Sequence, residues 1–214
     1  MDTPSRLILH GYWRSGPSYR TRIALALKGL EYEQRPVNLL KGEQRSEAYR
    51  ALNPQGLVPA LEVDGRLLTQ SGAILEWLEE VRPDPPLLPR DPFDRAELRA
   101  MCWVIGADTH PLHNLRVNVE VKALGGDAAA WNRRWVEEGL AALETLLERR
   151  AGAYAFGDSP TLLDCYCVPM AYSARRFGVD LTTYPRFDAA VKAAEAHPDI
   201  ARAHPDRQPD AVPA

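Results

Sequence analysis

Five prolines between residues 83 and 92 (Pro83, Pro85, Pro86, Pro89 and Pro92) constrain this chain more than any other feature. A pyrrolidine nitrogen has no N–H, and its ring clashes with the preceding helical turn, so neither a helix nor an inner strand can run through that stretch. The chain must change character there. Upstream, apolar residues follow strand-like and helix-like spacing in turn; downstream, no strand pattern recurs. We expect a first domain over residues 1–83, a proline-rich linker over 84–92, a helical domain over 93–198 and a loosely held tail over 199–214.

Upstream of the prolines, Leu7-Ile8-Leu9-His10-Gly11 reads as a strand, and Ile23, Leu27 and Leu30 mark the buried stripe of the following helix. Between them, Arg14-Ser15-Gly16-Pro17-Ser18-Tyr19-Arg20 forms a turn that delivers two hydroxyls to a helix N-terminus. Ser15 or Ser18 caps that helix, and Gly16-Pro17 suits a tight turn and a first helical position. Orphan N–H groups and the positive end of the dipole make such a place a seat for an anion. On this stretch alone an ordinary capped helix is the favoured reading, because caps far outnumber active sites. Next come a strand over Tyr32 to Val37, a short helix over Glu43 to Leu52, and apolar runs on either side of Asp64-Gly65, a hairpin signal. Pro59 cannot donate to a ladder, so an edge or a cis bend is expected, leaving the backbone of Val58 available to an extended partner. Ser71 is expected to cap a helix carrying Ile74, Leu75, Leu78 and Val81.

Downstream, helices are expected over Asp94 to Val121, Ala128 to Arg149, Leu162 to Phe177 and Arg186 to Ala196. Thr161-Leu162-Leu163-Asp164 is a capping-box-like start to a core helix and is assigned no chemistry. A formal charge of −3 offers no electrostatic case for nucleic acid or a membrane surface as partner. No apolar run approaches the ~20 residues that span a bilayer, and the N-terminus lacks a signal core, so a cytoplasmic location is expected. Cys102, Cys165 and Cys167 are too few for a disulfide framework and read as buried thiols. His110 and His113 have no third ligand near them in sequence, so no metal is expected.

A strand-and-helix unit followed by an all-helical one, with these motifs in this order, resembles the zeta-class glutathione transferases, specifically the maleylacetoacetate and maleylpyruvate isomerases. The resemblance rests on Tyr12-Trp13-Arg14-Ser15, on Leu52-Asn53-Pro54-Gln55-Gly56-Leu57-Val58-Pro59-Ala60-Leu61, and on Gln70-Ser71 leading into Ile74-Leu75-Glu76-Trp77-Leu78. It continues through His110-Pro111-Leu112-His113-Asn114-Leu115-Arg116, Ser159-Pro160-Thr161-Leu162-Leu163-Asp164-Cys165 and Ser173-Ala174-Arg175-Arg176-Phe177. It implies an α/β thioredoxin-like N-terminal domain plus an all-α C-terminal domain, glutathione as cofactor, and a homodimer.

The resemblance also implies roles. Ser15 would bind the glutathione sulfur, Val58 beside a cis Pro59 would pair with the cysteinyl backbone, and Gln70 and Ser71 would take the γ-glutamyl carboxylate. Gln44 would reach the glycyl end, while His110, Asn114 and Arg116 would contact ligand from the helical domain or across a dimer. Arg14 and Arg176 would grip a small dicarboxylate keto acid, since guanidinium forks bind carboxylates bidentately; one of Arg175 and Arg176 is expected at the surface. A free thiol of pKa ~8.5 must fall by roughly 2 units to be mostly ionised at neutral pH, or about 2.7 kcal/mol. A helix N-terminus supplies only ~0.3 to 1 kcal/mol of that, so a hydroxyl donor at the helix start is needed. The implied reaction is glutathione-dependent conversion of a maleyl keto acid to its fumaryl isomer, in the degradation of aromatic compounds. Gly16-Pro17 stands where many relatives carry Ser-Cys, so the family's reactive cysteine has no counterpart here. A detoxifying transferase or α-haloacid dehalogenase, and a non-catalytic binding module, are the alternatives.

Overall fold

The computed structural model describes residues 6–150 and 152–212. In chain order the main elements are β1 (Leu7–Gly11), α1 (Gly16–Leu27), β2 (Glu33–Pro36), α2 (Glu47–Leu52), β3 (Ala60–Val63), β4 (Arg66–Thr69) and α3 (Ser71–Val81). Then follow α4 (Pro92–Trp103), α5 (Leu115–Ala123), α6 (Ala128–Leu147), α7 (Leu162–Arg176), α8 (Pro185–Ala196) and α9 (Pro198–Arg202). They fall into two units, one built from residues up to Leu87 together with those from His197 onward, the other from Leu88–Ala196.

The first unit is a four-stranded mixed sheet in the order β2-β1-β3-β4. β1 runs parallel to β2 and antiparallel to β3, and β3 and β4 form a hairpin. All five residues of β1 are buried, as a continuous apolar run in an inner strand should be. Asp64 and Gly65 both take positive φ, 47° and 81°, the geometry that a two-residue hairpin loop demands. Ile23 and Leu25 of α1, with Ile74, Leu75 and Leu78 of α3, are fully buried with Ile8, Leu9 and Leu61 of the sheet. A buried ion pair fastens the two helices: Lys28 Nζ lies 2.5 Å from Glu79 Oε2 and 2.7 Å from the carbonyl of Pro85. Glu79 also accepts the N–H of Leu87 at 3.1 Å, so the proline stretch is clasped through its backbone rather than left loose.

The expected loose tail over 199–214 is corrected across residues 199–212; 213 and 214 lie outside the described residues. α9 buries Ile200 completely, and Ala203, Pro205 and Gln208 are buried after it. Arg22, itself buried in α1, donates to the carbonyl of Ala203 at 3.1 Å. A few apolar residues and one buried guanidinium dock the segment, which the four prolines between 197 and 214 had concealed.

In the second unit, the expected continuous helix over Asp94 to Val121 is broken. α4 starts at Pro92 behind an Asp91 cap, so that proline opens a helix. After Trp103 the chain widens into a π-helical turn, Val104–Thr109, and then tightens into a 3-10 turn, His110–His113. Close packing sets the break: a Cβ on Gly106 would lie 2.8 Å from the Tyr166 ring, and one on Gly139 would lie 2.1 Å from Thr109 Oγ1. The single expected helix over Glu43 to Leu52 also divides, into a 3-10 turn and α2, because Ser46 caps the latter through Tyr49 N at 3.2 Å.

Candidate active site

Strand register brings the expected glutathione residues to one end of the sheet. Ala60, the first residue of β3, pairs with His10 near the end of β1 on one side and with Thr69 at the end of β4 on the other. The turn carrying Arg14 and Ser15, the Val58-Pro59 segment and the start of α3 therefore emerge side by side. β2 ends there too, with Gly11 opposite Pro36, and leads on to Gln44.

Ser15, rather than Ser18, caps α1: its Oγ accepts the N–H of Ser18 at 3.3 Å. Ser18 instead turns inward and accepts the N–H of Tyr12. Because the Ser15 oxygen uses a lone pair for the cap, its O–H proton remains available to donate to an anion in front of the helix. Pro17 offers no N–H, and Ser18 spends its own on the cap, so Gly16 supplies the backbone donor at the first helical position. Arg14 stacks its guanidinium over the Trp13 ring at 5.2 Å. No described carboxylate lies within ion-pairing distance of it.

The Val58-Pro59 peptide is cis. Tyr49 Oη and Asn53 Nδ2 both donate to the carbonyl of Leu57, at 2.7 and 2.8 Å, which fixes the segment just before it. Burial pushes the Tyr49 hydroxyl up to about 12, so it stays protonated and keeps donating. Among the described residues, no backbone hydrogen bond is made by Val58.

The expected Ser71 cap is corrected. Gln70 occupies the cap position with φ of 67° and makes no capping hydrogen bond, while Ser71 is the first helical residue. Ser71 Oγ accepts Nη1 of the buried Arg20 at 2.9 Å, and Gln70 Nε2 donates to Gln55 Oε1 at 2.7 Å. Two side chains that sequence reasoning did not single out thus hold this corner, and the N-terminus of α3 is left uncapped. Gln44 is only 7% exposed, and its Oε1 has no hydrogen-bond partner among the described residues. A buried amide oxygen normally has a protein group, an ordered water or a ligand as its partner.

The comparisons with known proteins agree with this geometry. Residues 15–81 match the family model of the glutathione S-transferase N-terminal domain, and residues 129–202 match that of the C-terminal domain. A maleylacetoacetate isomerase from Pseudomonas aeruginosa is 50% identical over 208 residues, covering 94% of this chain and 97% of that protein. The chain belongs to the glutathione S-transferase family. Among solved structures, a holo maleylpyruvate isomerase described as a bacterial zeta-class glutathione S-transferase superposes with a TM-score of 0.93 at 47% identity, covering 96% of this chain and all of that one. A maleylacetoacetate isomerase from Anaeromyxobacter dehalogenans 2CP-1 with glutathione bound in its active site gives 0.90 at 48% identity, over 98% of this chain and 100% of that one. The thioredoxin-like sheet unit and the helical unit are those of the transferase fold.

In the helical unit, His110 and His113 meet edge to face at 4.8 Å, and His113 meets Phe177 at 5.3 Å. Arg176 lies against Tyr172 and Phe177, its guanidinium 5.8 Å from each ring. Arg175 forms a two-pronged pair with Glu195 at 2.5 and 3.1 Å on the exposed side. Arg176, not Arg175, therefore shares the Phe177 ring with His113. Asn114 caps α5 by accepting the N–H of Arg116 at 3.2 Å, and Arg116 is exposed in the first turn of that helix. Cys102, Cys165 and Cys167 are buried free thiols. Among the described residues, no three His, Cys, Asp or Glu side chains group as metal ligands, and no helix is long and apolar enough to cross a membrane.

Proposed function

We propose that this protein is a glutathione-dependent cis–trans isomerase that converts a maleyl keto acid, maleylpyruvate or maleylacetoacetate, to its fumaryl isomer. One observation carries the reading: the pairing of Ala60 with both His10 and Thr69 gathers the Ser15 turn, the cis Val58-Pro59 segment and the uncapped start of α3 at one end of the sheet.

The residues fit glutathione. Val58, beside the cis Pro59, has backbone groups without a hydrogen bond among the described residues, which suits pairing with the cysteinyl unit. The open N-terminus of α3, with Gln70 and Ser71, suits the γ-glutamyl carboxylate. The orphaned amide oxygen of Gln44 matches an N–H at the glycyl end. When bound, glutathione supplies a thiolate that adds to the maleyl double bond, allows rotation and is expelled again, so it is not consumed. The Ser15 hydroxyl holds the sulfur ionised by donating to it, aided by Gly16 N–H and the α1 dipole. In the first unit Arg14, unpaired and stacked on Trp13, is suited to a substrate carboxylate; in the helical unit Arg176, His110, Asn114 and Arg116 are the candidate ligand contacts. In this reading residues 1–83 bind glutathione, 93–198 bind substrate, and the protein works as a homodimer in the cytoplasm.

The test is a spectrophotometric assay of the purified protein with maleylpyruvate and with maleylacetoacetate, each with and without glutathione, and with an α-haloacid in parallel. Isomerisation of a maleyl substrate only in the presence of glutathione supports the reading. Haloacid turnover without maleyl turnover refutes it.

A further inference from the structure

The turn that carries Arg14 and Ser15 is held from the far end of the chain. Trp13 N–H donates to Asp210 Oδ2 at 2.9 Å, and Gln34 Nε2 of β2 donates to Asp210 Oδ1 at 2.8 Å. The carboxylate thus uses both oxygens to bridge the edge strand and the residue two before Ser15, across 197 positions of sequence. The carbonyl of Trp13 accepts Arg22 Nη2 at 2.9 Å, and the same guanidinium reaches the Ala203 carbonyl through Nε. Both backbone groups of Trp13 are therefore fixed by the segment that follows α9, directly at one and through Arg22 at the other.

We propose that Asp210 is a positioning residue for the thiol-binding turn: by clamping Trp13 it sets the aim of the Ser15 hydroxyl and, through the Trp13 ring, the place of the Arg14 guanidinium. The inference rests on the glutathione reading of Ser15 given above. Tyr12 and Trp13 are buried, and the turn's other hydrogen bonds stay local: Tyr12 N–H goes to Ser18 Oγ, Ser15 N–H to the Tyr12 carbonyl at 3.0 Å, and the Ser15 carbonyl accepts Tyr19 N–H of α1 at 2.8 Å, so among the described residues the bond from Trp13 N–H to Asp210 is the one that ties residues 12–15 to a segment beyond α1. Asp210 is not needed to dock its own segment. Ile200 and Pro205 are buried there, and Gln208 Nε2 binds the carbonyl of His204 at 2.8 Å. Loss of the carboxylate should therefore loosen the turn and leave the fold in place.

The sign of one measurement separates positioning from plain electrostatics. Removing a nearby negative charge, by itself, makes a thiolate easier to form and lowers the thiol pKa. Losing the aim of Ser15 raises it. We expect Asp210→Ala to raise the pKa of bound glutathione, read from thiolate absorbance near 240 nm, by about 0.5 to 1 unit, with Asp210→Asn, which keeps one acceptor oxygen, in between. Isomerase kcat should fall about three- to tenfold while KM for glutathione moves less than about twofold. In the ligand-free protein, amide exchange at Ser15 N–H should quicken about tenfold although its own acceptor, the Tyr12 carbonyl, is untouched. A pKa that stays put or falls in Asp210→Ala, or an unchanged Ser15 exchange rate, overturns the proposal; if Asp210→Ala does not fold, Asp210→Asn is read by the same criteria. Ser15→Ala is run alongside. If it raises the pKa and Asp210→Ala does not, only the positioning role fails; if it too leaves the pKa unchanged, the thiolate role of Ser15 fails and takes this proposal with it.

Discussion

Replacing Ser15 by alanine should separate the two jobs that one hydroxyl does. In the folded protein its oxygen accepts Ser18 N–H at 3.3 Å, a long cap bond, so its loss should cost about 0.5 to 1 kcal/mol of stability. Its proton, on our reading, donates to the thiolate of glutathione, a charge-assisted bond of roughly 1.5 to 3 kcal/mol, which is about 1 to 2 pKa units. A bound thiol brought to pKa ~6.5 is about 75% ionised at pH 7; moved to ~7.5 it is about 24% ionised, and at ~8.5 about 3%. Turnover at pH 7 should therefore drop roughly three- to twenty-five-fold, and much of the loss should return near pH 9. Thiolate absorbance of the glutathione complex against pH measures the ionisation, and thermal unfolding of the ligand-free protein measures the cap. Ser15→Thr keeps both functions and should restore most of each. The reasoning is refuted if Ser15→Ala loses activity with its stability while the pH profile stays where it was, because the hydroxyl would then be a cap and nothing more.

Three further outcomes follow from the packing. Lys28→Met removes the ammonium that lies against the buried Glu79 carboxylate and should cost about 3 to 5 kcal/mol in denaturant unfolding, with much of that regained in Lys28→Met combined with Glu79→Leu. Asp164 is almost wholly buried, and burial raises its carboxyl to about 6 although Ala155 N–H, Thr161 N–H and the Thr161 hydroxyl all donate to it. Because the folded pKa lies above the unfolded value, this group's contribution is complete below about pH 4 and is lost as pH rises through about 6, a change of up to ~3 kcal/mol. In Asp164→Asn that slope should vanish from stability measured between pH 4 and 7. Gly56 takes φ of 62°, and a Cβ there would lie 2.9 Å from the carbonyl oxygen of Gln44. Gly56→Ala should displace Gln44 and raise KM for glutathione about tenfold with kcat little changed, as steady-state kinetics would show.

Much of this molecule is written in short stretches. The proline cluster, the Asp64-Gly65 hairpin, the strand Leu7–Gly11 and a helix starting near Ser15 or Ser18 follow from steric rules that act over a few residues. Each could be read without knowing its neighbours. The misreadings share a different cause. The break after Trp103 depends on Tyr166 lying against Gly106 and on Thr109 lying against Gly139, contacts that no local pattern announces. Gln70, not Ser71, occupies the cap position of α3, Ser71 is bound by Arg20 from another helix, and Gln70 takes a backbone conformation that its side chain does not favour.

By itself, the order of residues determined which chemical groups are present: a hydroxyl at a helix start, a proline suited to an edge or a cis bend, arginines for carboxylates. Their types and spacing are covalent facts, and they set the class of ligand. Tertiary structure alone decided which of them meet. Strand register placed Ala60 between His10 and Thr69, Glu195 paired with Arg175 while Arg176 lay against Tyr172 and Phe177, and a carboxylate near the C-terminus reached Trp13. Long-range hydrogen bonds between residues far apart in sequence form only once the core has closed, so no window along the chain contains both partners.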